Sequence, residues 1–216
     1  MAAGRRAKTM EETRAKLVRA AREAFATKGY AAASMDDLTA EVGLTRGALY
    51  HNFGDKKGLL HAVIDQIDAE MADRLRTVGE RAGTAWVGLL DEYAAYIEMA
   101  LEPEIQRIML LDGPAVLGDP SQWPSQNACL HETTRRIQAL VDGGTIRPVD
   151  AAAAARLLNG ASLSAALWIA AAEEPQVNLT KVVDAFRLLA AGLLRAEPAQ
   201  GDANPMSSKN RRPKRP

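Results

Sequence analysis

The sequence predicts an all-α protein of about nine helices, and three observations carry that expectation. Apolar residues recur at helical spacing, as in Leu17, Ala20, Ala21, Ala24 and Phe25, and the alternation of a strand is missing. Helix-starting Ser, Thr and Asp residues stand before these runs, with Gly or Pro after them. The 216 residues are 47% hydrophobic and 25% charged, enough for a full core and polar enough for a globular, soluble chain.

The elements follow in order. Thr9-Met-Glu-Glu12 is a capping-box pattern that predicts the start of a first helix, ended by Lys28-Gly29. Ser34-Met-Asp-Asp37 predicts a second start, with a short helix to Val42 closed by Gly43. Thr45 caps a third helix reaching about Asn52, and Asp55 a fourth from Lys56 towards Gly79. Beyond that, helices are expected over Ala85–Leu101, Glu104–Leu111, Gln126–Val141, Asp150–Glu174 and Leu179–Arg195. Asp112-Gly113-Pro114 reads as a break, and Gly118–Pro124 as a loop. The tail from Glu197 is Pro-, Ser- and charge-rich and reads as disordered.

Net charge is zero, but it is unevenly spread. Residues 1–60 carry 11 Lys+Arg against 7 Asp+Glu, residues 61–196 carry 11 against 18, and residues 197–216 carry 5 against 2. A basic front and an acidic body suggest that nucleic acid meets the front. The one cysteine, Cys129, excludes an internal disulfide, fits a reducing cytoplasm, and is expected to be a small buried residue. The N-terminal residues lack the apolar stretch of a signal peptide, and no run reaches the roughly 18 apolar residues of a membrane span. A cytoplasmic, nucleoid-associated location is the expectation.

The second and third helices are separated by Gly43-Leu44, and Leu38, Val42, Leu44 and Leu49 are spaced to form a small shared core. That is a helix-turn-helix arrangement, whose second helix enters a major groove. Leu49 and Phe53 point into the core, which leaves Arg46, Gly47 and Tyr50 on another side. Gly47 is either a tolerated glycine near a helix end or a gap that lets the backbone approach a base or phosphate. Arg46 suits a bidentate pair with guanine, and Tyr50, His51 and Asn52 suit phosphate oxygens. Lys56 and Lys57 fall at the positive end of a helix dipole, which is unfavourable unless an anion sits there.

Residues 11–71 resemble the DNA-binding domain of the TetR family of bacterial transcriptional regulators. The matching motifs are A-x-x-x-F-x-x-x-G-Y (Ala21, Phe25, Gly29, Tyr30), S-M-D-D-L (Ser34–Leu38), G-L-T-R-G-A-L-Y-H-N-F (Gly43–Phe53) and D-K-K-G-L-L (Asp55–Leu60). L-L-D-G-P-A-V-L-G (Leu110–Gly118) resembles a segment from ligand domains in one branch of the family. The resemblance implies a homodimer whose first three helices read DNA and whose fourth links them to a ligand-binding body. It carries DNA contacts onto Ser34 and Met35, onto Thr45, Arg46, Gly47, Ala48, Tyr50, His51 and Asn52, and onto Lys56. Thr39 departs from the family's pattern, which has a small alanine where the helices cross. The expected domains are a flexible basic arm (1–10), the reader (11–71), a ligand-binding and dimerisation body (72–196) and a basic tail (197–216). Arg5, Arg6 and Lys8 in the arm either lie near the DNA backbone or make no contact, and the tail's K-N-R-R-P-K-R-P end is read as solvated.

For the body, Trp86, Tyr93, Tyr96, Met109, Trp123 and Trp168 are the candidates to line a pocket for a small apolar or aromatic effector, each with a core role as its alternative. The break at 112–114 is a candidate mobile wall. The last two helices are apolar on more than one face: Leu157, Leu158, Leu163 and Leu167 in one, Val182, Val183, Phe186, Leu188, Leu189, Leu193 and Leu194 in the other. They predict a four-helix dimer interface, with an internal core as the alternative. The expected function is therefore a homodimeric repressor released from a palindromic operator by a small molecule. An activator or an architectural DNA binder is the alternative. An all-α enzyme fits poorly. His51 belongs to the reader, His61 with Asp65 forms only a possible metal pair, His131 and Glu132 diverge, and no phosphate loop, H-E-x-x-H or nucleophile elbow occurs. No metal or cofactor is expected.

Overall fold

Capping side chains set the helix starts as the sequence implies. Ser34 Oγ accepts from Asp37 N at 3.3 Å, Thr45 Oγ1 from Ala48 N at 3.2 Å, and Asp55 Oδ1 from Gly58 N at 2.7 Å. Each bond satisfies an amide that the first helical turn leaves free. The computed structural model describes the backbone of residues 2–195 and the side chains of Lys8 and of Met10 onward. Its α-helices are α1 (Ala2–Lys28), α2 (Met35–Glu41), α3 (Arg46–Phe53), α4 (Lys56–Glu80), α5 (Ala85–Glu98), α6 (Gly113–Leu117), α7 (Pro124–Asp142), α8 (Ala151–Ala171) and α9 (Pro175–Ala191). A π-helix spans Ile105–Asp112, and short 3-10 turns cover Met99–Leu101 and Pro120–Gln122. The single β-bridge among the described residues pairs Ile146 with Leu194.

Helix α1 begins earlier than its capping box implies. Thr9 is interior to the helix, and the backbone of residues 2–10, expected as a flexible arm, is helical. Ala2, Ala3 and Ala7 are strong helix formers and no proline interrupts them, so propensity carries the helix past the box. The tail from residue 197 lies outside the described residues, as do the side chains of Arg5 and Arg6. Helix α9 starts at Pro175 rather than near Leu179, because proline is well suited to a first helical position, where its missing N–H costs nothing.

The largest correction concerns residues 112–114. No break occurs there, for the π-helix runs straight into α6 and Gly113 has helical φ −55° and ψ −58°. Gly113 N–H reaches back to Ile108 O, a wider turn than an α-helix makes. That widening accommodates Pro114, which has no N–H to give and whose ring would crowd a tighter turn. A side chain at residue 113 would not fit: a Cβ would stand 2.8 Å from both Ile108 O and Trp123 Cη2.

One continuous core joins the two halves. Leu17, Ala21 and Phe25 of α1 bury against Leu38 of α2, Leu49 of α3 and Leu59, Leu60 and Val63 of α4. Along its length α4 packs on α5, α7 packs on α8, and α5, α8 and α9 pack on one another.

Candidate nucleic-acid interface and effector body

The α2–α3 pair is held by its own small core, with Leu38 and Leu49 fully inside and Val42 and Leu44 half-buried. Gly43 makes the turn at φ +66°, a conformation that costs glycine little. Thr39, where a small residue was expected, is buried, and its hydroxyl donates to Met35 O at 3.1 Å and Asp36 O at 3.0 Å. Its polar group is thus satisfied within α2.

With Leu49 turned inward, α3 presents Arg46, Gly47, Tyr50 and His51 to solvent; Thr45 is exposed beside them, Ala48 and Asn52 are half-buried, and Ser34 and Met35 at the start of α2 are half-buried too. Arg46 Nε lies 3.3 Å from Asp36 Oδ1, and its guanidinium sits over the Tyr50 ring at 5.9 Å. Both partners are exposed, so this pair holds Arg46 weakly and leaves it free to exchange partners. A Cβ at Gly47 would meet nothing nearer than Thr45 Oγ1 at 3.8 Å. The fold therefore does not require a glycine at 47, unlike at 113.

Asn52 is turned back on its own helix, with Nδ2 donating to Ala48 O at 2.7 Å. Arg14 of α1, a residue the sequence reading passed over, stacks on Phe53 at 4.7 Å and reaches Asn52 O at 3.5 Å. Lys56 is also occupied within the molecule. Its ammonium lies 4.5 Å over the Tyr30 ring and donates to Ala31 O at 3.3 Å, and burial pulls its pKa down. Lys57 beside it is exposed. Of the two lysines that raised the question of an anion, one is tied to the α1–α2 turn and the other faces water.

That turn is gripped by the body. Tyr30 N–H donates to Asp112 Oδ2 at 2.7 Å, and Arg107 Nε reaches the same oxygen at 3.1 Å. At the other end of the π-helix, Arg22 of α1 makes a two-pronged pair with Glu104 at 2.6 and 2.7 Å and a further bond to Glu70 at 2.7 Å. The reader is thereby clasped at both ends of one π-helix. These partners lie up to 82 positions apart, and no local motif marks them.

The six pocket candidates separate. Trp86, Tyr93, Met109 and Trp123 are buried, and Tyr96 is half-buried against the core. Tyr93 packs on Phe186 at 5.1 Å and donates to Asn159 Oδ1 at 2.5 Å. Burial raises the pKa of both Tyr93 and Tyr96. Trp168 is 57% exposed on the outer face of α8, away from any interior, because α8 turns its small residues Ala166 and Ala170 inward instead. An open pocket of about 120 Å³ lies between α7 and α8, bordered by Ser121, Gln126, Leu130, Arg156, Asn159 and Leu163, and none of the six candidates lines it. Cys129 is exposed rather than buried, with Sγ 3.9 Å from Asn159 Nδ2.

A two-helix reader with an exposed second helix, joined to a larger helical body, defines a helix-turn-helix regulator. Residues 17–63 match the family described as bacterial regulatory proteins, tetR family, and residues 86–193 match the tetracyclin repressor-like C-terminal domain. The chain belongs to the TetR family. It is 31% identical over 138 residues to the HTH-type transcriptional repressor AcnR of Corynebacterium glutamicum, covering 62% of this chain and 69% of that one. It is 28% identical over 149 residues to the transposon Tn10 TetC protein of Escherichia coli, 67% of this chain and 73% of that one. Among solved structures, a TetR-family regulator from Pectobacterium atrosepticum is 50% identical and superposes with a TM-score of 0.81 over 88% of this chain and 98% of that one. The protein is a DNA-binding transcriptional regulator; its homologues are regulators rather than enzymes, which sets the enzyme reading aside. Among the described residues no helix is long and apolar enough to cross a membrane.

Proposed function

We propose that this regulator is a homodimeric repressor, released from a palindromic operator by a small apolar or aromatic molecule bound in the body. One observation carries the reading. The face of α3 that is not needed for the core is solvent-exposed and bears Arg46, Tyr50 and His51 around a glycine that internal packing leaves optional. In this reading Arg46 addresses a base edge, and Gly47 and Ala48 let the backbone approach closely. Ser34, Met35, Thr45, Tyr50, His51 and Asn52 position the duplex through its phosphates. Lys56 contributes from the start of α4, with Lys57 as the more accessible charge beside it.

Dimerisation through α8 and α9 is supported by what those helices leave uncovered. Leu157 (75% exposed), Trp168, Leu188 (77%) and Leu189 (75%) stand on their outer faces among small residues. Four such side chains on adjoining helices are an apolar surface that a second copy would cover. Two readers about one DNA turn apart, roughly 34–36 Å, would then meet a palindrome. Release works through the clasp of Arg22 and Asp112 on the reader. An effector that favours another arrangement of the π-helix shifts the reader with it, by as much as its affinity differs between the two states. The protein acts in the cytoplasm, at the nucleoid. The test is titration onto DNA upstream of its own gene and its neighbours, with Arg46→Ala as control. Loss of a base-reading arginine costs about 1–3 kcal/mol. Equal binding to random DNA, or no effect of the substitution, would count against the reading.

A further inference from the structure

Helix α3 is eight residues long, and a helix that short does not hold its own shape in water. Its first turn is fixed by the Thr45 cap and its middle by the fully buried Leu49. The last turn poses a separate problem. Its carbonyls have no partners within the helix, and they carry the negative end of the helix dipole. Three features meet there. Gly54, at φ +76°, turns its N–H back to Tyr50 O at 2.9 Å. Gly58 of α4 leaves room for Phe53 O, which a Cβ at residue 58 would overlap. Arg14 of α1 supplies the third: its guanidinium lies 4.7 Å over the Phe53 ring, and Nη1 is 3.5 Å from Asn52 O. The glycines give backbone shape, whereas Arg14 brings a charge of the sign that this helix end favours.

Arg14 is exposed, and an exposed cation on the basic front of the chain invites assignment to a phosphate. Its contacts point elsewhere, for both fall on the last two residues of α3. The arginine stands on a firm base, because Leu17, three positions on in α1, is fully buried. Resting on the reading of α3 as the helix that meets the bases, we propose that Arg14 is a positioning residue for sequence reading. It ties the end of α3 to α1 and so sets the aim of Arg46 and Tyr50, without itself contacting DNA. Without it, the last turn of α3 loosens beyond its anchor at Leu49. A site read through base contacts then loses affinity, since each well-aimed bidentate pair is worth roughly 5–150-fold. Random DNA, held through its phosphates, is indifferent to that aim. Lys56 makes the same pair of contacts elsewhere in the reader, with its ammonium over the Tyr30 ring and bonded to Ala31 O at 3.3 Å. A lysine can therefore take the place of an arginine between a ring and a carbonyl, which makes Arg14→Lys the conservative replacement.

The test titrates the full chain, Arg14→Ala and Arg14→Lys onto the DNA upstream of the protein's gene and onto random DNA, across a salt series. Amide hydrogen exchange of the free protein is the second readout. Arg14→Ala is expected to lose about fivefold or more on the upstream DNA and less than about twofold on random DNA, with the slope of log affinity against log salt unchanged on both. Arg14→Lys should return the upstream affinity to within about threefold of the parent. In the free protein, Arg14→Ala should speed exchange of amides 50–54 by about threefold or more and leave those of α5 as they were. A uniform loss on both DNAs, with the slope reduced by about 0.9 for each contact removed, would make Arg14 a phosphate contact and overturn the proposal. Unchanged affinity, no rescue by lysine, or exchange that is unaltered in α3 or equally faster in α5 would overturn it too. A parent that shows no preference for the upstream DNA would remove the reading of α3 at that site, and the exchange data would still decide whether Arg14 holds α3.

Discussion

Replacing Asp112 with alanine isolates the contact through which the body holds the reader. The carboxylate accepts from Tyr30 N–H at 2.7 Å and from Arg107 Nε at 3.1 Å, and its side chain is 20% exposed. Removing it leaves a partly buried backbone donor unsatisfied, which costs about 1–3 kcal/mol. The Arg107 pair adds less than about 1 kcal/mol, because that arginine is 46% exposed and water screens it. At roughly 2–4 °C per kcal/mol for a chain of this size, the melting temperature should fall by about 2–16 °C. Asp112→Asn is the discriminating partner: its amide oxygen still accepts from Tyr30, so only the charge is lost and the fall should stay below about 4 °C. The two variants are compared by thermal denaturation and by DNA titration at equal protein concentration. Equal losses for alanine and asparagine would show that charge, not the Tyr30 hydrogen bond, carries the clasp. No loss for alanine would show that the reader is not held there at all.

Other substitutions test separate parts of the structure. Gly47→Ala should fold as well as the parent, or be stabilised by up to about 1 kcal/mol from helix propensity, yet bind operator DNA at least tenfold more weakly; unchanged DNA affinity would make the glycine incidental. Gly113→Ala should lower the melting temperature markedly, since its Cβ would press on Ile108 O and Trp123 at 2.8 Å. Leu188→Arg, placing a charge on the exposed face of α9, should yield folded monomers by sedimentation, and a dimer of unchanged strength would put the interface elsewhere. Asp68 predicts a pH effect. Burial raises its pKa above the ordinary 3.8, so the folded state disfavours its charged form and the penalty grows as pH rises past that value. Asp68→Asn should therefore melt higher than the parent at neutral pH, and the gap should close on acidification towards pH 4. Glu70 works in the opposite sense. Arg22 lowers its pKa below 4.5, and that stability is lost as pH falls, so Arg22→Ala should blunt acid destabilisation.

The reader was legible in the sequence because its determinants are local. Ser34, Thr45 and Asp55 each bond an amide three positions on, and Gly43 turns the chain between two helices whose apolar spacing is already visible. The body was legible only as helices. Asp112-Gly113-Pro114 carries every local sign of a break, and it stays helical because Gly113 fits against Trp123 and Ile64, a fact of packing that no neighbouring residue reveals. Trp168 and Trp123 look alike in sequence, yet one lies on an outer face and the other inside with an unpaired N–H. Which side of an alanine-rich helix is covered depends on its neighbours, not on its own pattern. The same holds for Lys56, whose expected freedom to meet a phosphate is altered by Tyr30 and Ala31, residues from a different turn.

The most direct test is the affinity of the purified protein for the DNA upstream of its gene against random DNA, measured across a salt series for the parent and Arg46→Ala. A sequence-reading α3 gives a preference for the specific site above about a thousandfold, and a linear fall of log affinity with log salt. It also gives a loss of that preference when Arg46 is removed. A parent protein that binds both DNAs equally at every salt concentration, with Arg46→Ala indistinguishable from it, would contradict the assignment of α3 as the reading helix.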